Sequence, residues 1–471
     1  MERLTVKEIQ EATGGIVVRG RLDDDIDNLS TDSRTISPGD IFIALSGKNF
    51  DGHSFIAEVK GKGAKGVIYS LDIREEFPIM IKVADTKSAL VQIAQAYRKK
   101  FSPKTVAITG SNGKTTVKDM VAKIASTKYK VLKAKDSYNN EIGVALTLLE
   151  LTSETEILIL EMEMNQIGGT YLLCEMSQPD IGAITNISDT HLEFMKDRNG
   201  VAQEKRELIA SLPPTGIAIL NNDDPLVKKM GDDFSLQKIT FGQKSGDFFA
   251  KQIKLLPDFT TYLLNGRYRV FLPLIGRCNV YNSLCAIAIA TALGIEVATA
   301  ISALSDFEPP PLRYQTINLK GYKVLLDCYN ANPVSMEEAL NTLSLIAPGR
   351  KIAILGDMKE LGERAKDLHF ELGRKARQYL DFLVTIGDFA QVVIEGARKE
   401  KMAKERTFAA NREEEVISFL LDILQPFDTI LIKGSRAMNM ERIYFKLRSA
   451  LKKNSSTAVE SYHNHLYGED N

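Results

Sequence analysis

The chain has 471 residues, with 60 basic and 61 acidic side chains and a formal net charge of −1. That length is more than one compact core serves, so about two or three domains are expected. The even charge gives no support for nucleic-acid binding through a basic field, and no uninterrupted apolar run is long enough to span a bilayer.

The start, MERLTVKEIQ, is charged and lacks an apolar signal core. Cys174, Cys278, Cys285 and Cys328 have no CxxC spacing and read as reduced core thiols of a cytoplasmic protein. The first block, to about Phe101, alternates short strand signals with turns. Asp32-Ser33-Arg34 precedes SPGD and the apolar strand IFIAL; SGKNFDGH and a helical stretch around Phe55 to Lys60 follow. Ser33 and Arg34 beside a buried-type strand suit an anion-binding corner, and a solvated turn accounts for them equally well. A helix over Lys87 to Lys100 ends at FSPK, and Ser102-Pro103 reads as a linker.

The second block runs from Lys104 to about Pro311 and is organised around KTVAITGSNGKTTVKD. Val106, Ala107 and Ile108 are β-prone. Gly110, Ser111, Asn112 and Gly113 make a glycine-bounded turn, and Lys114, Thr115 and Thr116 open a helix. A strand turning tightly into a helix points backbone N–H groups and the positive helix end at one spot, which suits a phosphate. Lys114 adds a point charge and Thr115 a hydroxyl for Mg²⁺. Ile108 stands where the full P-loop pattern has its first glycine. A plain strand–helix turn, however, needs no lysine and two hydroxyls at this point.

The strand ILIL (157–160) ends at Glu161, the layout of a metal-holding carboxylate beside a phosphate loop. IGAITNIS (181–188) is a further strand, with His191 just past it. A lone histidine is more often structural, but ligands bind beyond the carboxyl ends of strands in open α/β sheets. Its place therefore favours a ligand role. Lys205 lies on a helix, where a solvated lysine is the common fate. GIAILNNDDP (216–225) is another strand, and residues 273–294 read as a loop and an apolar helix. Asn279 and Asn282 either cap that helix or read an adenine edge.

The third block begins near EPPPLRY, where Pro309 to Pro311 form a stiff hinge and Arg313 follows. Four strand-plus-turn units (324–333, 351–363, 382–388 and 429–441) alternate with helices and predict a doubly wound sheet of Rossmann type. Asp327, Asn330, Asn332, Asp357, Lys433, Ser435 and Arg436 gather at the strand ends and predict a lined cleft. From about Lys452 the tail is polar and without period, which predicts disorder. His463 and His465 within it suit solvation better than a metal pair.

Ten segments carry a resemblance: TDSRTISPGDIFIALSGKNFDGHSFI, TGSNGKTT, NNEIGVALTLLEL, EMEMN, PDIGAITNISDTHLE, AQEKRELI, NVYNSLCAIA, DCYNANPVSMEEAL, ILGDMKELGE and KGSRAMNME. With them the chain resembles the Mur ligase family across all three blocks, omitting only the tail. The resemblance implies an α/β protein of three domains. These are a small α/β UDP-sugar-binding domain (1–101), a central P-loop ATPase-type parallel sheet domain (104–311) and a C-terminal Rossmann-like domain for the amine (312–451), with 452–471 a disordered tail. It implies ATP-dependent joining of D-alanyl-D-alanine to UDP-N-acetylmuramoyl-tripeptide through an acyl phosphate, in peptidoglycan precursor synthesis. The enzyme is then expected to be cytoplasmic and monomeric, with no nucleic-acid or membrane partner.

By the same resemblance, Gly110 to Thr116 hold the ATP phosphates, with Lys114 on the terminal ones. Thr115 and Glu161 hold one Mg²⁺. His191 helps hold a second, supported by Lys205 carrying CO₂ as a carbamate. Asn279 and Asn282 fall at the adenine, Arg313 at a phosphate and Asp327 at the ribose. Ser33, Arg34, Asn139 and Asn140 fall at the UDP-peptide. Asn330, Asn332, Asp357, Lys433, Ser435 and Arg436 fall at the dipeptide. The chain departs from the family pattern at Glu163 and Cys328, at Gly169, at Cys278 (a histidine in the pattern) and at Ala145. These departures motivate two alternatives: a ligase for another acid or amine, or a weak paralogue that binds a UDP-sugar or ATP as a regulator. A folate-type polyglutamate ligase shares the phosphate turn, but the DSR…DGH block has no purpose there.

Overall fold

A computed structural model describes residues 1–47 and 50–452; the tail from residue 453, with His463 and His465, lies outside the described residues. Three main sheets follow one another along the chain. The first has five strands in the order Ile16–Arg19, Ile79–Lys82, Gly66–Tyr69, Ile41–Ile43, Leu29–Ser30. Only the Ile16–Arg19 edge runs antiparallel. IFI of the expected IFIAL strand is fully buried within it. The helix expected at Lys87 to Lys100 spans Thr86–Arg98, started by the Asp85 carboxylate, which accepts from Ser88 N.

The central sheet has nine strands in the order Tyr268–Leu272, Thr260–Leu264, Phe248–Leu255, Gln237–Gly242, Ile217–Asn221, Ile181–Ile184, Lys104–Thr109, Ile157–Glu161, Val131–Lys133. Its phosphate-turn strand Lys104–Thr109 pairs in parallel with Ile157–Glu161 on one side and Ile181–Ile184 on the other. Those three strands read as continuous apolar runs because helices cover both faces, as parallel sheets require. This order sets the ends of three strands side by side, so the turn after Thr109, Glu161 and the loop after Ile184 meet without long connections. The sheet is not parallel throughout. Phe248–Leu255, Thr260–Leu264 and Tyr268–Leu272 extend it as an antiparallel meander, because short hairpin connections can join only antiparallel neighbours.

The third sheet has six strands in the order Gln315–Leu319, Tyr322–Asp327, Thr429–Lys433, Lys351–Leu355, Phe382–Ile386, Thr407–Ala410. The four strands expected from sequence are its parallel middle. Gln315–Leu319 adds an antiparallel edge and Thr407–Ala410 a parallel one.

The first unit is tied to the central one by a buried cation. Arg98 is 6% exposed. Its guanidinium donates to Ser177 O at 3.2 Å, Phe101 O at 2.7 Å and Thr105 Oγ1 at 3.1 Å. Tyr97 beside it donates to Leu151 O at 2.8 Å. Arg98→Ala strands two buried acceptors and one partly buried one and is expected to cost about 3 kcal/mol of stability. The urea midpoint measures it; a change under about 0.5 kcal/mol would contradict the tie.

Candidate active site

The phosphate turn is clamped from the loop after Ile184. Ser111 N donates to Asn186 O at 2.8 Å, Asn112 N to Asn186 Oδ1 at 3.1 Å, and Thr185 Oγ1 to Asn112 O at 2.6 Å. Gly110 and Gly113 have φ of 139° and 87°. A Cβ on Gly110 would lie 1.9 Å from Thr185 Oγ1, and one on Gly113 would lie 2.2 Å from Asn282 Oδ1. Both positions therefore need glycine for space as well as for backbone angle. The helix Lys114–Ala125 starts directly at the lysine, so its first-turn N–H groups face the turn.

Six side chains close around this point. Lys114 Nζ donates to Gly110 O at 2.7 Å and to Glu163 Oε1 at 2.5 Å. Thr115 Oγ1 donates to Glu161 Oε2 at 2.7 Å, and Arg313 Nη2 donates to that same hydroxyl at 2.8 Å. Asn139 Nδ2 holds the other Glu161 oxygen at 2.9 Å. The Arg313 guanidinium lies 4.0 Å from the centroid of the Tyr329 ring, a cation–π contact that fixes its approach. A cavity of about 600 Å³ opens from the turn toward the third sheet. Ser111 to Thr116, Asn139, Glu161, Asn279, Asn282, Arg313, Asp327, Asn330 and Lys433 line it.

Charge is concentrated behind the lysine. His191, in left-handed conformation with φ 54°, contacts Glu360 Oε2 through Nδ1 at 2.6 Å and Glu163 Oε1 through Nε2 at 3.2 Å. Burial alone would lower its pKa; hydrogen bonds and charge from Glu163 and Glu360 outweigh that and raise it to about 9. Burial likewise works to raise the Glu163 carboxyl, but Lys114, His191 and Lys205 hold it well below the usual range. Lys205 is 2% exposed. Burial first, then repulsion from Lys114, lowers its amine to about 8 against partial attraction from Glu163, Glu204 and Glu161. An amine in that range carries a neutral, nucleophilic fraction near neutral pH.

Other sequence-predicted residues hold the protein's own backbone. Asn140 caps Glu141–Leu148 and Asn332 caps Pro333–Ile346. Asn332 also donates to Asn112 Oδ1 at 2.7 Å, joining the third sheet to the phosphate turn. Asp357 accepts from Lys359 Nζ at 2.8 Å, Asp388 N at 2.9 Å and Phe389 N at 3.1 Å. Ser435 Oγ accepts from Lys359 N at 2.9 Å. Arg436 forks onto Glu441 at 2.8 and 2.9 Å, and Arg34 onto Asp32 at 2.7 and 2.9 Å. Ser33 is buried, and its carbonyl accepts from Lys62 Nζ at 2.8 Å. Lys433 Nζ donates to Asp327 Oδ2 at 2.5 Å and Asn330 O at 2.9 Å. Of the two readings open for Asn279, its Nδ2 bonds Ile275 O at 2.8 Å and its Oδ1 accepts from Asn282 Nδ2 at 2.9 Å. Neither amide caps the helix Arg277–Ala292, which has no side-chain cap, and both residues line the cavity.

Sequence reasoning missed Glu360, Tyr329 and the active placement of Glu163. Glu163 is visible as a departure from a motif; the partner of Glu360, His191, lies beyond another sheet, and that of Tyr329, Arg313, lies sixteen residues before it with no periodic link.

No group of three or more His, Cys, Asp or Glu side chains is arranged to hold a metal among the described residues. Mg²⁺ nevertheless fits: it takes one or two carboxylates and completes its shell with water and substrate phosphates. Thr115 Oγ and Glu161 supply hard oxygens beside the turn, and His191 supplies nitrogen once deprotonated.

A phosphate-gripping turn, an adjacent carboxylate and a cation from a facing sheet define an enzyme of ATP-dependent phosphoryl transfer. Comparison with known proteins agrees. Models described as the Mur ligase middle domain, the Mur ligase glutamate ligase domain and the Mur ligase family catalytic domain match residues 108–290, 312–436 and 25–129. The UDP-N-acetylmuramoyl-tripeptide--D-alanyl-D-alanine ligase of Bacillus subtilis is 33% identical over 94% of this chain and 98% of its own. Crystal structure I of MurF from Acinetobacter baumannii superposes with a TM-score of 0.89 at 33% identity, covering 95% of this chain and 99% of that one. MurF from Thermotoga maritima in complex with ADP gives 0.82 at 28% identity, over 91% and 98%. The chain belongs to the Mur ligase family.

Two predictions follow from the charges. Glu163 occupies Lys114, so Glu163→Gln is expected to tighten a non-hydrolysable ATP analogue on the order of tenfold, measured by calorimetry; weaker binding would show that Glu163 helps hold the nucleotide. His191 has a raised folded-state pKa, so its stabilisation is fully present below about pH 6.5 and is lost as pH rises through about 9. The gap in unfolding temperature between the ligand-free wild type and His191→Gln should shrink over that window. A constant gap would contradict the ion pairs.

Proposed function

We propose that this chain joins D-alanyl-D-alanine to UDP-N-acetylmuramoyl-tripeptide at the expense of ATP, in peptidoglycan precursor synthesis. The observation that carries it is full-length similarity to ligases of that name together with a phosphate turn facing a second α/β sheet across one cavity. We set the domain limits at 1–101, 104–311 and 312–451, with UDP-peptide on the first, ATP on the second and dipeptide on the third.

A carboxylate is a poor electrophile, so the reaction needs activation. The acceptor carboxylate attacks the γ-phosphorus; the bond from γ-phosphorus to the β–γ bridging oxygen breaks and ADP leaves. The dipeptide amine then attacks the acyl carbon, loses a proton, and phosphate departs with the former carboxylate oxygen. Lys114 and Arg313 neutralise the transferring phosphoryl group, and Glu161 holds the Thr115 hydroxyl in place beside it. When bound, Mg²⁺ at Thr115–Glu161 and at His191 supplies further neutralisation. Lys205 would carry CO₂ as a carbamate, turning a buried cation into an anion that supports the second metal. Closure about Pro309 to Pro311 excludes water from the acyl phosphate. Among the described residues no helix is long and apolar enough to cross a membrane, and four unpaired cysteines suit a reducing cytoplasm. We assign it as a monomer.

Phosphate release by the purified protein is expected to require both the UDP-tripeptide and D-alanyl-D-alanine; release independent of both would sink the assignment. Lys114→Ala should lower turnover by roughly a thousandfold or more. Lys205→Ala should lose most activity and recover part of it with short carboxylic acids in the buffer, whereas full activity without them would remove the carbamate.

A further inference from the structure

The cavity wall formed by the third sheet's first helix holds a carboxylate with one oxygen that has no hydrogen-bond partner. Glu338 lies on the helix Pro333–Ile346. Its spacing from Val334 and Ser335 puts the three on one helix face, and all three line the cavity. Its Oε2 atom is buried without a hydrogen-bond partner. Burial raises the carboxyl pKa, opposed by the Arg277 charge and reinforced by Glu337. Buried polar atoms in folded proteins are almost always paired, so an orphan oxygen facing a ligand cavity points to a donor on the ligand.

The position selects the donor. The Glu338 charge acts on Cys278, Tyr281 and Tyr314, which line the cavity with the start of the helix Arg277–Ala292. A nucleotide with its phosphates on the turn puts its base among these side chains. Asn279 and Asn282, the residues expected at the base, bond each other and Ile275 O. The cavity's other third-sheet carboxylate, Asp327, is paired to Lys433. Glu338 is the acceptor left over.

We propose that Glu338 is a base-specificity residue, its carboxylate accepting a hydrogen bond from the exocyclic 6-amino group of adenine. A 6-oxo purine sets a carbonyl oxygen against that carboxylate, with no proton between them. The inference rests on the assignment of this cavity to ATP.

The test is calorimetric binding of Mg²⁺ complexes of ATP, ITP and 2′-deoxyATP to the full chain, without acceptor substrates. Wild type is compared with Glu338→Gln and Glu338→Ala. The wild type should prefer ATP to ITP by at least about tenfold. Both variants should bring that ratio to about one, since glutamine can turn to donate or accept, while the ATP to 2′-deoxyATP ratio stays unchanged. The nucleotide-free unfolding temperature should change little in Glu338→Gln, which keeps the side-chain shape and loses no hydrogen-bond partner at Oε2, giving up only the attraction of the Arg277 charge. A wild-type ratio near one, an unchanged ratio in both variants, or collapse of the 2′-deoxyATP preference instead would overturn the proposal. Failure of the wild type to bind any of the three would overturn the ATP assignment itself.

Discussion

The structure depends on holding opposed charges out of water at one tight turn. Lys114, His191 and Lys205 meet Glu161 and Glu163 behind the helix start, where a lone buried charge is prohibitively costly. The turn admits them because it has no side chain of its own at Gly110 or Gly113, where a Cβ would collide with Thr185 or Asn282. Glu163 balances Lys114 from within.

The same constraint links the sheets. Arg313 reaches Thr115, Asn332 reaches Asn112 and Glu360 reaches His191, each from the third sheet or the segment leading into it. Ser137 and Tyr329 also touch across the boundary. None of these contacts is large or apolar, and interfaces of that kind permit relative motion. Residues of the phosphate turn and of the loop after Ile184 thus register the central sheet against the third through hydrogen bonds.

Much of this was legible in the residues. The buried strands ending at Thr109 and Glu161 announce themselves as apolar runs, and TGSNGKTT needs its glycines, lysine and hydroxyls for one purpose. The middle of the third sheet followed from strand–helix alternation. The antiparallel meander from Phe248 to Leu272 did not, since its residues alternate in burial and carry no continuous run. Arg34 and Arg436 illustrate the other limit. Each is a candidate ligand residue, with a solvated turn equally open for Arg34, and each is forked onto a nearby carboxylate, Asp32 or Glu441. Local ion pairing competes with ligand binding for the same chemistry, and only coordinates reveal the partner. Glu360 and Glu338 gain their meaning solely from what the fold sets opposite them.

The central claim is that the turn faces a carboxylate and phosphorylates it. It is tested most directly with UDP-muramoyl-tripeptide labelled with ¹⁸O in its terminal carboxylate. Turnover with ATP and D-alanyl-D-alanine should place one labelled oxygen in each inorganic phosphate released, carried over from the acyl phosphate. Phosphate without the label would mean that water or another nucleophile receives the phosphoryl group, and the account would be wrong.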